Sequence, residues 1–153
     1  MLDAGTKAPE FTLENDQGED ITLSSLLEGG PLILYFYPAD FTPGCTKEAC
    51  SIRDLHNDLL ASGLRVVGVS PQSTASHARF REEYELPFTL LSDPDKVAVK
   101  AYDVDGPLGF GVRRATFLIG EDGEIRDAVM ADIMIDRHTD FINRAIGLQD
   151  PTA

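Results

Sequence analysis

Cys45 and Cys50 are the only two cysteines of the 153-residue chain, and they stand five residues apart. The segment around them reads Tyr37-Pro38-Ala39-Asp40-Phe41-Thr42-Pro43-Gly44-Cys45-Thr46-Lys47-Glu48-Ala49-Cys50. Thr42 followed by Pro43 is a helix-start signal, a hydroxyl at the N-cap and proline at the first helical position. That assignment puts Cys45 in the first turn, among backbone N–H groups with no helical partner, at the positive end of the helix dipole. Thiols in such settings ionise with pKa values as low as ~3.5, against ~8.5 for a free cysteine. The Thr42 hydroxyl is close enough to donate to the sulfur or to an oxygen it attacks. The pattern describes an activated sulfur nucleophile rather than a cysteine that fills space.

Cys50 defines what that nucleophile does next. Five residues of regular helix separate two Cα atoms by roughly 8.5 Å, whereas a disulfide needs them within about 7 Å. A Cys45–Cys50 bond therefore requires the first turns of the helix to unwind. The spacing suits a disulfide made and broken during turnover better than a static brace. A metal site built on Cys45, Cys50 and His56 lacks paired histidines and a convincing fourth ligand.

The elements that must position this segment alternate along the chain. Leu32–Tyr37 and Leu64–Ser70 are continuous apolar runs, as expected of strands buried on both faces. Between them Ala49, Ile52, Leu55, Leu59 and Leu60 recur at helical spacing over 46–62, making a βαβ unit with parallel strands. Residues 73–85 predict a polar helix, 88–91 a strand, 96–102 a short helix, and 115–119 with 124–129 a hairpin closed at Gly120–Gly123. A last helix covers 137–146. The fold class expected is α/β: one domain over 1–153, with a central mixed β-sheet flanked by helices on both faces. Sites in such sheets form beyond the carboxyl ends of the strands, where the segment after Tyr37 lies.

Composition narrows the partners. With 26 acidic and 13 basic side chains the net charge is −13, which repels nucleic acid and anionic membrane surfaces. The longest apolar run is far shorter than the ~20 residues of a membrane span. The N-terminus shows no basic stretch followed by an apolar one, so no secretory signal is expected. Together with the close cysteine pair, this points to a reducing, cytoplasmic setting.

Pro38-x-x-x-Thr42-x-x-Cys45 resembles the active-site signature of peroxiredoxins, and the nearby Cys50 is similar to the bacterioferritin comigratory protein, or peroxiredoxin Q, subfamily. The likeness extends to Gly5–Leu13, Val66–Ser70, Pro87–Asp93 and Arg114–Ile119. It implies a thioredoxin-like fold and a thiol-dependent peroxidase acting on hydrogen peroxide and organic hydroperoxides. By the motif, Cys45 is the peroxidatic cysteine, Thr42 orients the peroxide, Pro38 shields the site, and Cys50 is the resolving cysteine. Arg114 matches the active-site arginine. Its neighbour Arg113 must point the other way, since successive strand residues face opposite sides. The implied partner is thioredoxin or a similar dithiol donor, with no metal or organic cofactor. A resolving cysteine in the same helix predicts a monomer. The alternative is a thioredoxin-like disulfide oxidoreductase or redox-regulated binding module, against which the four intervening residues count, because those proteins use C-x-x-C.

Two further expectations concern residues outside the signature. His77 and His138 sit among polar neighbours and read as solvated. Gly106–Gly111 lacks the helix a phosphate loop needs and reads as a mobile segment bordering the site.

Overall fold

A computed structural model describes residues 1–149, so the last four residues of the domain expected over 1–153 lie outside the described residues. β3 (Leu32–Phe36) pairs in parallel with β4 (Arg65–Ser70), which pairs in parallel with β5 (Thr89–Ser92). On the other side β3 is antiparallel to β6 (Ala115–Ile119), and β6 to β7 (Ile125–Met130). Two strands not anticipated from the sequence, β1 (Thr12–Asn15) and β2 (Asp20–Thr22), extend the far edge to give the order β2-β1-β5-β4-β3-β6-β7. They are short and polar, with too little alternation to read as strands.

All five side chains of β3 are buried because both faces are covered. Leu32, Leu34 and Phe36 point into one core, with Leu23 and Leu26 of α1 (Leu23–Leu27) and Ala98 and Val99 of α4 (Val97–Ala101). Ile33, Tyr35 and Tyr37 point into the other, against α2 (Pro43–Ala61), α3 (Thr74–Tyr84) and α5 (Asp136–Gln149). Helices therefore flank both faces of a mixed sheet, as expected. Gly68 in mid-β4 is required by this packing, since a Cβ there would lie 2.7 Å from Cζ of Tyr35.

Several local expectations are corrected. Of the supposed core leucines of α2, Leu59 is buried but Leu60 is exposed. His77 and His138 are wholly buried, not solvated. Each lies one helical turn before an inward aromatic, Phe80 or Phe141, so the helical period carries it inward despite its polar sequence neighbours. Apart from these corrections, the 106–111 segment carries a 3-10 turn over Pro107–Gly109 and is bonded by Lys96, whose ammonium donates to Asp105 Oδ1 and to the carbonyls of Gly109 and Gly111.

Candidate active site

Strand register builds the site. β3 runs into Tyr37 and Pro38 at its carboxyl end, and the antiparallel pairing of Phe36 with Ala115 brings the start of β6 to that same end. Arg114, one residue earlier, is thereby placed over the first turn of α2. Its backbone N–H donates to Asp132 Oδ1 at 2.9 Å, which fixes the approach of the chain.

α2 starts where the sequence indicates. Thr42 is the N-cap in extended conformation, Pro43 is in the first turn, and the first helical hydrogen bond runs from the Thr46 N–H to the Thr42 carbonyl at 2.8 Å. The amides of Gly44 and Cys45 precede that bond, so they are donors without helical partners. One detail differs from expectation. The Thr42 hydroxyl does not cap the helix; it donates to the Ala39 carbonyl at 2.9 Å, and its oxygen remains an acceptor.

Cys45 is buried and Cys50 half-buried, both as free thiols in one unbroken helix. The Arg114 guanidinium donates through Nη2 to Cys45 Sγ at 3.3 Å and through Nη1 to Glu48 Oε1 at 2.7 Å. Arg113 instead pairs at the surface with Asp132 Oδ2 at 2.7 Å. Burial opposes the charge on Arg114, but Glu48 and Cys45 beside it raise its pKa. Burial also drives the Glu48 carboxyl up to about 7, against the charge and hydrogen bond of Arg114, which lower it. Gly44 lies close beside this pair: a Cβ there would come within 3.1 Å of Arg114 Nη2, so the guanidinium would have to give way slightly.

The loop between β3 and α2 is anchored from behind. Asp40 accepts from Tyr37 Oη at 2.6 Å and from Ser76 Oγ at 2.7 Å, with His77 Nδ1 at 2.8 Å. Burial pushes the Asp40 carboxyl up, but the hydrogen bond and charge from His77, with the other donors, outweigh it and hold the pKa below its usual range. Phe41, in left-handed conformation at φ 64°, packs edge-on against Phe80 at 5.1 Å between centroids. Pro38 is half-buried in this anchored loop.

Arg114 thus meets Cys45 at the start of α2, where Thr42 is the N-cap residue, with Cys50 farther along the same helix. Glu48, Gly44 and Asp132 are not singled out by the sequence, and His138 reads there as solvated rather than as part of the site. Glu48 was within reach of sequence reasoning, because a residue three after Cys45 shares its helix face. Asp132 and His138 come from distant segments and carry no local signal. Among the described residues, no group of three or more His, Cys, Asp or Glu side chains is arranged to hold a metal ion, and His56 packs instead near Phe88, 6.4 Å between ring centroids.

Residues 4–128 match the AhpC/TSA family model. The peroxiredoxin Bcp of Bacillus subtilis is 41% identical over 130 residues, covering 81% of this chain and 82% of the relative. Among solved structures, the peroxidoxin BcpB of Mycobacterium tuberculosis superposes with a TM-score of 0.90 at 34% identity, covering 97% of this chain and 98% of that one. A Xanthomonas campestris bacterioferritin comigratory protein, solved in trapped intermediate and ligand complexes bearing on its alkyl peroxide reduction activity, superposes at 0.83 with 30% identity over 90% of each chain. The chain belongs to the AhpC/TSA family. Within it, the chain groups with the Bcp and Q peroxiredoxins, thiol peroxidases of thioredoxin-like fold.

Proposed function

We propose that this thiol peroxidase works through Cys45 as the attacking thiolate and Cys50 as its resolver. The observation that carries this reading is the Arg114 Nη2 to Cys45 Sγ contact of 3.3 Å at the start of α2. The sulfur attacks the terminal, hydrogen-bearing oxygen of a hydroperoxide; an S–O bond forms, the O–O bond breaks, and the other oxygen departs with the electron pair and takes up a proton. Negative charge moves along the S–O–O axis, towards the guanidinium of Arg114 and the free amides of Gly44 and Cys45, donors already in place where charge develops. Thr42, its own proton given to Ala39, accepts the peroxide O–H and aligns it. Pro38, half-buried in the loop after β3, takes the shielding role that the family motif gives it.

The product is a sulfenic acid on Cys45. Once the start of α2 opens, the Cys50 thiol attacks that sulfur, forming the S–S bond and expelling water. A dithiol donor such as thioredoxin returns two electrons and two protons by exchange. The resolving thiol lies in the same helix, which supports a monomeric enzyme, and free thiols that must be re-reduced support a cytoplasmic setting. Among the described residues no helix is long and apolar enough to cross a membrane.

The test is direct. Reduced protein mixed with excess hydrogen peroxide loses its Cys45 thiol orders of magnitude faster than a free cysteine at the same pH; loss at the free-thiol rate refutes the reading.

A further inference from the structure

Arg114 is the cation in contact with two acids, Cys45 and Glu48, in a place where little water reaches: the side chains of Arg114 and Glu48 are 6% and 1% exposed. Two full negative charges on one guanidinium would leave one uncompensated in a buried site, at heavy cost. One proton must therefore stay with the pair whenever the sulfur is a thiolate.

The geometry says where. Glu48 Oε1 is taken by Arg114, but Oε2 is buried without a hydrogen-bond partner. Facing it at 3.7 Å is Nδ1 of His138, itself wholly buried in α5. Nε2 of His138 lies 2.8 Å from the Ala131 carbonyl, so the ring carries its proton there and presents Nδ1 as an acceptor, shared with the Thr116 hydroxyl at 2.8 Å. Burial lowers the His138 pKa, with Arg114 adding to it, and this favours the same neutral ring. Oε2 accepts from no donor, which an ionised carboxylate would need, whereas a proton on it has Nδ1 of His138 facing it at 3.7 Å. Tyr35 from β3 also belongs to this face; its hydroxyl is buried without a hydrogen-bond partner and is kept neutral chiefly by that burial. Asp132 approaches from the far side, held by Arg113 and Arg114.

We propose that Glu48 and His138 are positioning residues that hold one proton between them, keeping Glu48 neutral while Cys45 is a thiolate so that Arg114 serves the sulfur. The inference rests on Cys45 being the attacking thiol. As pH rises, Glu48 gives up that proton and competes for Arg114. The rate of peroxide reduction then falls on an alkaline limb set by Glu48, whose pKa is about 7.

Nuclear magnetic resonance of the unaltered, reduced chain, with labelled glutamate and histidine, tests the pair without a Glu48 variant. The expected result is a Glu48 carboxyl that titrates near neutrality, with the His138 Nδ1 resonance moving at the same midpoint. In Cys45→Ser, where Glu48 no longer shares Arg114 with a thiolate, the carboxyl midpoint falls. In Glu48→Gln the alkaline limb of the rate disappears. A carboxyl that titrates in the ordinary range, a proton on His138 Nδ1, or an alkaline limb unchanged in Glu48→Gln overturns the proposal. A protein that reacts with peroxide no faster than a free thiol would instead overturn the role of Cys45.

Discussion

The guanidinium of Arg114 reaches the sulfur of Cys45 at 3.3 Å across 69 residues of chain. The antiparallel register of β6 on β3 closes that gap, setting Ala115 opposite Phe36 and so Arg114 beside the start of α2. Catalysis in this account depends on a cation delivered by one strand to a nucleophile delivered by one helix.

Removing that cation should slow the chemical step. Arg114→Met is expected to lower the second-order rate constant with hydrogen peroxide by about 10²–10³-fold, the usual worth of a donor to developing charge. Arg114→Lys retains charge but cannot hold Sγ and Glu48 Oε1 at once, and should fall between. Stopped-flow thiol oxidation below pH 7, where Glu48 keeps its proton, measures both.

Thr42 acts through its oxygen as acceptor, because its proton is donated to the Ala39 carbonyl. Thr42→Val, of the same shape, should lose about 10–100-fold in that rate constant, equivalent to one hydrogen bond made to a reacting group. Thr42→Ser should restore most of it. Equal losses in both variants would assign the effect to packing.

Stability should also report Glu48. Its folded pKa, about 7, lies above the ordinary 4.5, so the folded state binds more protons than the unfolded state between these values. The Glu48 contribution therefore falls as pH rises from 4.5 to 7, by about 3 kcal/mol in all. Burial of neutral His138 works the other way below pH 6.5. The Glu48 contribution is thus read as the difference between wild type and Glu48→Gln in urea melts across that range; a constant difference would contradict it.

Oxidation should open the helix. In regular α2 the Cα atoms of Cys45 and Cys50 are about 8.5 Å apart, beyond the ~7 Å limit for a disulfide. Hydrogen exchange after oxidation is expected to show loss of amide protection over 45–50, while the helix beyond Ile52, packed by Leu59 in the core, stays protected. Unchanged protection would mean that α2 does not open.

How much of this was legible beforehand follows the range of the forces involved. The buried strands and the start of α2 are local: apolar runs, a hydroxyl and a proline are enough to fix them. Cys45, Thr42 and Arg114 stood out by residue type and by family resemblance; strand alternation lets only one of Arg113 and Arg114 face the sulfur, and the family block after Arg114 selects it. What the sequence hid is long-range. β1 and β2 are too short and polar to carry a period, and their pairing is set by the edge of β5. His77 and His138 looked solvated because polar neighbours along the chain outweigh a period seen only once Phe80 and Phe141 are known to face inward. The acceptor at Asp132 and the proton site between Glu48 and His138 join segments that only the tertiary fold brings together.

The most direct test of the account is mass spectrometry of the reduced protein after one equivalent of hydrogen peroxide. The wild type should lose two hydrogens and yield a Cys45–Cys50 linked peptide within one chain, and Cys50→Ser should gain one oxygen on Cys45. Oxygen found first on Cys50, or a disulfide joining two chains as the main product, would contradict it.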